Sequence, residues 1–160
     1  MRKQKGFSLI ELLIVVAIIL IIAAIAIPNL LRSRIAANEA SAVGSIRTVN
    51  TAQVTYSSSY PDCGFTTLSN LGGSGGNTTG AGLIDAVLAG GQKSGYSFAA
   101  TPTGGNGSCG SGTATPNSMY TVVGAPQSQQ TGQRYFFSDQ SGVIRYNTST
   151  AATATDAPLQ

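Results

Sequence analysis

Residues 1–28 read MRKQKGFSLIELLIVVAIILIIAAIAIP, and this stretch decides the fold. Arg2, Lys3 and Lys5 precede a Gly6-Phe7 junction, and the apolar run that follows holds one charge, Glu11. As a helix, Phe7–Ile27 would be roughly 31 Å long at about 1.5 Å per residue, enough to cross the hydrocarbon core of a bilayer. Basic residues collect on the cytoplasmic side, so the start is expected inside and everything after Pro28 outside. A carboxylate in such a run costs on the order of 2.5–3.5 kcal/mol at mid-bilayer and less near an end. Something must compensate Glu11, and that compensation is the first clue to function.

Two plain readings compete for the segment. Ala24-Ile25-Ala26 has the small-x-small form of a secretory cleavage site, but secretory apolar regions are about 7–15 residues long and carry no acid. A single-pass anchor with an uncleaved start explains the hydrophobicity and leaves Glu11 an unpaired charge in lipid.

Lys5-Gly6-Phe7-Ser8-Leu9-Ile10-Glu11, followed by a long apolar stretch and Pro28, resembles the class III signal of type IV pilins and pseudopilins, type IVa-like. The resemblance implies cleavage by prepilin peptidase between Gly6 and Phe7, N-methylation of Phe7, and Glu11 as the acid through which a subunit enters a filament. There the Phe7 ammonium of a neighbouring copy would pair with Glu11. It also implies residence in the inner membrane before assembly, then a surface pilus, or a periplasmic filament for a pseudopilin. The partners it implies are other copies in a helical filament, the peptidase and the assembly machinery.

Composition agrees once the leader is set aside. The 160 residues hold 9 Lys+Arg and 6 Asp+Glu, and removal of Arg2, Lys3 and Lys5 leaves no excess of either sign. The apparent basicity therefore belongs to the leader, and no specific nucleic-acid site is evident on the folded part. Charged residues are only 9% of the chain, a composition that favours association.

Beyond Pro28 the pattern becomes amphipathic. Leu31, Ile35, Ala42, Val43, Ile46, Val49, Gln53 and Tyr56 recur at near-helical spacing. One helix is expected over about 7–57, bent or locally unwound at Pro28, where a backbone donor is missing. The expected organisation is a cleaved leader (1–6), a transmembrane and filament-core half-helix (7–28), an amphipathic half-helix (29–57) and a globular head (58–160). Residues 58–82 read as loop and 83–88 as a short helix. Strands are expected at 94–100, 119–124, 133–139 and 143–147, the last two joined by Gln140-Ser141-Gly142 as a hairpin loop. Aromatic residues on these strands read as core, and the tail from Asn147 to Ala157 as flexible. The fold class is α+β, a long N-terminal helix on a small antiparallel sheet of about four strands.

Cys63 and Cys109 both lie in Gly-containing loops. In an oxidising exported location a disulfide is the first reading, with free thiols or a metal site as the other two. Histidine is absent, which disfavours zinc and removes the commonest general base. No phosphate loop appears, and the Gly-rich stretches Gly72–Gly76 and Gly104–Pro116 read as loops, so no enzyme and no cofactor are expected. Asp139 stands where a calcium loop would lie in some relatives of this kind, yet turn chemistry accounts for it and other acids are far in sequence. The reading is a structural subunit of a type IV pilus for motility, adhesion or DNA uptake. A pseudopilin of a type II secretion system is the alternative, and a membrane-anchored binding module the second.

Overall fold

A single helix, α1 (Leu9–Ser59), occupies the first third of the computed structural model, which describes residues 8–106, 109 and 115–159. Arg2, Lys3, Lys5 and the Gly6-Phe7 junction lie outside the described residues. Pro28 sits inside α1 with helical residues on both sides, so of the bend or local unwinding expected there the unwinding is absent. What the ring removes is one amide, the donor to the Ala24 carbonyl.

The chain divides into two compact units, Met1–Arg34 and Ile35–Gln160, and α1 contributes residues to both. In the first, the apolar side chains from Leu9 to Leu31 are exposed on every side of the helix. An all-round apolar surface is that of a helix meant for lipid or for close neighbours.

The second unit is a head built on the rest of α1. After it come α2 (Leu68–Leu71), α3 (Ala86–Ala89) and strands β1 (Gln92–Lys93), β2 (Tyr96–Thr103), β3 (Met119–Pro126), β4 (Tyr135–Asp139) and β5 (Arg145–Asn147). The strands form one antiparallel sheet in chain order. Thus the sheet has five strands where about four were expected. The addition is β1, which turns into β2 through Ser94-Gly95, both at positive φ (51° and 74°), as a two-residue hairpin turn requires. Ser94 is therefore turn and not strand. The helix α2 lies in the stretch read as loop.

Alternation along the strands places Tyr96, Phe98 and Ala100 of β2, Tyr120 and Val122 of β3 and Phe136 of β4 in one core with Ala42, Ile46, Val49, Ala52 and Tyr56 of α1. Gly124 of β3 makes the approach possible, since a Cβ there would crowd the Phe98 ring and the Ile46 Cδ1 at 3.2 and 3.3 Å. Polar groups within this core are paired. Gln53, wholly buried, reads both backbone groups of Thr66: its Oε1 accepts from the Thr66 amide at 2.9 Å and its Nε2 donates to the Thr66 carbonyl. The Tyr120 hydroxyl donates to Asn50 Oδ1, and Asn50 Nδ2 donates to Ser138 Oγ at 2.8 Å, tying helix to sheet.

Cys63 and Cys109 form a disulfide with Cα atoms 4.6 Å apart. Beside it the Asn117 amide donates to the Cys63 carbonyl and the Phe65 amide to the Asn117 carbonyl, both at 3.0 Å. The tail is held in place, contrary to its flexible reading. Tyr146 N donates to the Ala157 carbonyl (3.1 Å), Leu159 N to the Ile144 carbonyl (2.7 Å), and the Arg145 guanidinium to the Asp156 carbonyl (2.9 Å). These bonds cover the outer edge of β5, which would otherwise be open for pairing.

Candidate functional site

Leu9 is the first helical residue, and the Leu12 amide closes the first turn on the Ser8 carbonyl at 3.2 Å. Ser8 thus stands at the N-cap and Glu11 at the third helical position. The Ser8 amide donates to Glu11 Oε2 at 2.9 Å, which is the backward half of a capping box. The carboxylate also lies in the first turn, where the partial positive charge of the helix end favours an anion. Part of the compensation for Glu11 is therefore intramolecular. The pattern Ser8-x-x-Glu11 carried this signal in the sequence, and the view of Glu11 as unpaired within a single chain is corrected by it.

Downstream, the surface of α1 stays apolar to Leu31, and charge returns at Arg32 and Arg34, neither of which is ion-paired among the described residues. Of the residues singled out in the sequence, Glu11 and Pro28 lie on this helix, and Gly6 and Phe7 fall outside the described residues. Cys63 and Cys109 belong to the head. Asp139 is occupied by its own turn: its Oδ1 accepts from the Ser141 amide at 2.8 Å and its carbonyl from Gly142 N at 2.9 Å, with Gly142 at φ 73°. No group of three or more His, Cys, Asp or Glu that would hold a metal ion occurs among the described residues.

Two ion pairs occur among the described residues of the head, Glu39 with Arg134 and Asp85 with Lys93. Glu39 of α1 accepts from the amides of Gln133 and Arg134 at 2.9 and 3.3 Å and faces Arg134 Nε at 3.3 Å. Asp85 caps α3 through the Leu88 amide and bonds Lys93 Nζ at 2.9 Å. The Lys93 bond, then the Leu88 amide, hold the Asp85 carboxyl below its usual value.

A helix long and apolar enough to cross a membrane thus opens on a capped carboxylate, and its C-terminal part is the spine of a helix-on-sheet head. Residues 1–27 match the model of the prokaryotic N-terminal methylation motif. The chain is similar to the type IV wide pilus major component PilA4 of Thermus thermophilus, 67% identical over 39 residues, which are 24% of this chain and 30% of that protein. It is also similar to the type IV major pilin protein PilA of Myxococcus xanthus, 45% identical over 54 residues, 34% of this chain and 24% of that one. The chain thus spans less than a third of the length of either relative. No solved structure gives a significant match. In its N-terminal segment the chain carries the methylation motif and is similar to type IV pilins, and a long helix on an antiparallel sheet is consistent with the α+β fold of such proteins.

Proposed function

We propose that this protein is a structural, non-catalytic subunit of a type IV pilus. Prepilin peptidase removes residues 1–6 by cutting between Gly6 and Phe7, and Phe7 is N-methylated. Residues 7–28 hold the subunit in the inner membrane until the assembly machinery draws it into a helical surface filament of identical copies, which serves motility, adhesion or DNA uptake. The observation that carries this reading is the helix whose side chains from Leu9 to Leu31 the chain itself leaves uncovered. In lipid they are satisfied already, so helix association draws on close packing and polar pairing and not on expulsion from water. Glu11 supplies the polar term. The capping bond uses Oε2, and the carboxylate retains acceptor capacity for the Phe7 ammonium of the next copy, a charge-assisted bond in a site without water.

The test separates charge from capping. Glu11→Ala is expected to leave membrane insertion and head stability unchanged and to lower filament yield at least about tenfold, as expected for loss of one such bond. Glu11→Gln, which keeps an oxygen for the Ser8 amide, is expected to fall nearly as far. Wild-type yield in Glu11→Ala would remove Glu11 from assembly. Mass spectrometry of the native chain is expected to find a methylated Phe7 start, and an intact Met1 would overturn the maturation.

A further inference from the structure

The stretch Gln127-Ser128-Gln129-Gln130-Thr131-Gly132-Gln133, between β3 and β4, has four amide side chains in seven residues and no charge. Its backbone is pinned from several directions. Asn38 Nδ2 of α1 donates to the Thr131 carbonyl at 2.9 Å, Glu39 accepts from the Gln133 and Arg134 amides, and Gln127 N donates to the Gly95 carbonyl at 2.9 Å. Within the loop the amides of Thr131 and Gly132 both bond to the Ser128 carbonyl, and the Ser128 amide to Thr131 Oγ1 at 3.0 Å. Gly132 is buried flat against the Tyr96 ring, where no side chain fits.

Fixed from behind, the loop forms one wall of a cleft of about 470 Å³. Gln127, Gln129 and Gln133 line the cleft together with Tyr135 of β4, Thr148 and Ser149. The three amides and the hydroxyls of Tyr135 and Thr148 have no hydrogen-bond partner among the described residues. Every polar group that faces the cleft freely is both a donor and an acceptor, and none is charged. Phosphates, carboxylates and metal ions find no counter-charge there, and acyl chains find too little apolar wall.

We propose that this cleft binds a neutral saccharide of about disaccharide size. Vicinal hydroxyls also donate and accept at once, as a primary amide does, and the C–H face of a sugar ring packs on an aromatic ring such as Tyr135. The volume lies within the range of small-molecule sites, about 300–1,000 Å³. A pinned backbone leaves only side-chain ordering to oppose binding.

The experiment uses the full chain dispersed in a detergent without sugar groups, so its outcome is independent of whether the chain forms filaments. Saturation-transfer NMR is read on a panel of neutral disaccharides of gluco, galacto, manno and N-acetyl types, with glucose 6-phosphate as the charged comparison. Transfer to at least one neutral sugar is expected, and less to the phosphate. Gln129→Ala with Gln133→Ala is expected to weaken binding about tenfold, the effect of two hydrogen bonds left unmade. Tyr135→Ala is expected to abolish transfer, Tyr135→Phe to retain it, and Gln130→Ala, outside the lining, to change nothing. These positions are exposed or half-buried, and an unchanged melting temperature shows that the variants fold. Absence of transfer to the whole panel, or equal transfer in the Gln129/Gln133 double variant, overturns the proposal. So does a double variant that loses filaments while the dispersed wild type binds no sugar, which would make the cleft a contact between copies.

Discussion

Within the single helix α1, the stretch up to Arg34 and the stretch beyond Ile35 use similar residues to opposite ends. Ile18 is 52% exposed and Ile46 is wholly buried, although both are isoleucines on the same helix. In the head, burial of Ile46, Val49 and Tyr56 against Tyr96, Tyr120 and Phe136 is complete within one chain, and Gln53 and Asn50 have their partners there too. Among the described residues of the N-terminal unit, the side-chain hydrogen bonds are the capping bond at Glu11 and one from Ser33 Oγ to the Asn29 carbonyl, and the apolar side chains from Leu9 to Leu31 stay exposed. The difference teaches that the head satisfies its apolar surface within the chain, whereas the first unit leaves its own exposed to whatever surrounds it.

The strongest way to break this contrast is the disulfide. Cys63→Ser opens a crosslink between residues 46 apart, which by loop entropy costs about 4 kcal/mol. The head is expected to melt markedly lower, while membrane insertion stays as in the wild type. Insertion lost together with the head would show that the two regions are not independent.

A matched pair of substitutions sharpens it. Ile46→Ala is expected to destabilise the head by about 3 kcal/mol through lost burial and a cavity, read by urea unfolding of the dispersed chain. Ile18→Ala is expected to leave that transition unchanged, since the head does not use this residue. Equal effects would refute the division.

The smallest expected effect is a pH response confined to the head, which holds all six tyrosines. Burial, and secondarily the Glu39 charge, push the Tyr96 hydroxyl up to about 12, where it donates to the Arg134 carbonyl at 2.9 Å. A raised value means the folded state favours the neutral phenol. That stabilisation is whole below the ordinary tyrosine value near pH 10 and is lost as pH rises towards about 12. The urea midpoint is expected to fall over this window and to fall less in Tyr96→Phe. An unchanged slope in that variant would assign the alkaline response elsewhere.

Several features stood in the linear pattern because local physics writes them there. The apolar run with its one acid, the near-helical stripe and the Gly142 turn each follow from a period or a turn preference, whereas the alternation expected at Tyr135-Phe136-Phe137 does not hold, since Phe136, Phe137 and Ser138 are all buried. Even Gln53 falls on the apolar stripe, though only the Thr66 backbone explains why an amide is tolerated there. The helix α2, with four residues, and the strand β1, with two, are too short to show a period. The tail reads as flexible from its Ser, Thr and Ala content and is fixed by carbonyls whose position no composition reveals.

By itself, then, the sequence determined the methylation-motif segment, the helix length and the helix-on-sheet class, because these rest on hydropathy and periodicity along the chain. A disulfide between Cys63 and Cys109 is already the first reading of the sequence, and the two are bonded in the structure, whereas tertiary structure alone decided that Asn38 and Glu39 pin the loop of Gln127–Gln133 and that this loop and Tyr135 line one cleft. Such contacts join residues dozens of positions apart, and they are fixed only when the core has closed and set which surfaces meet.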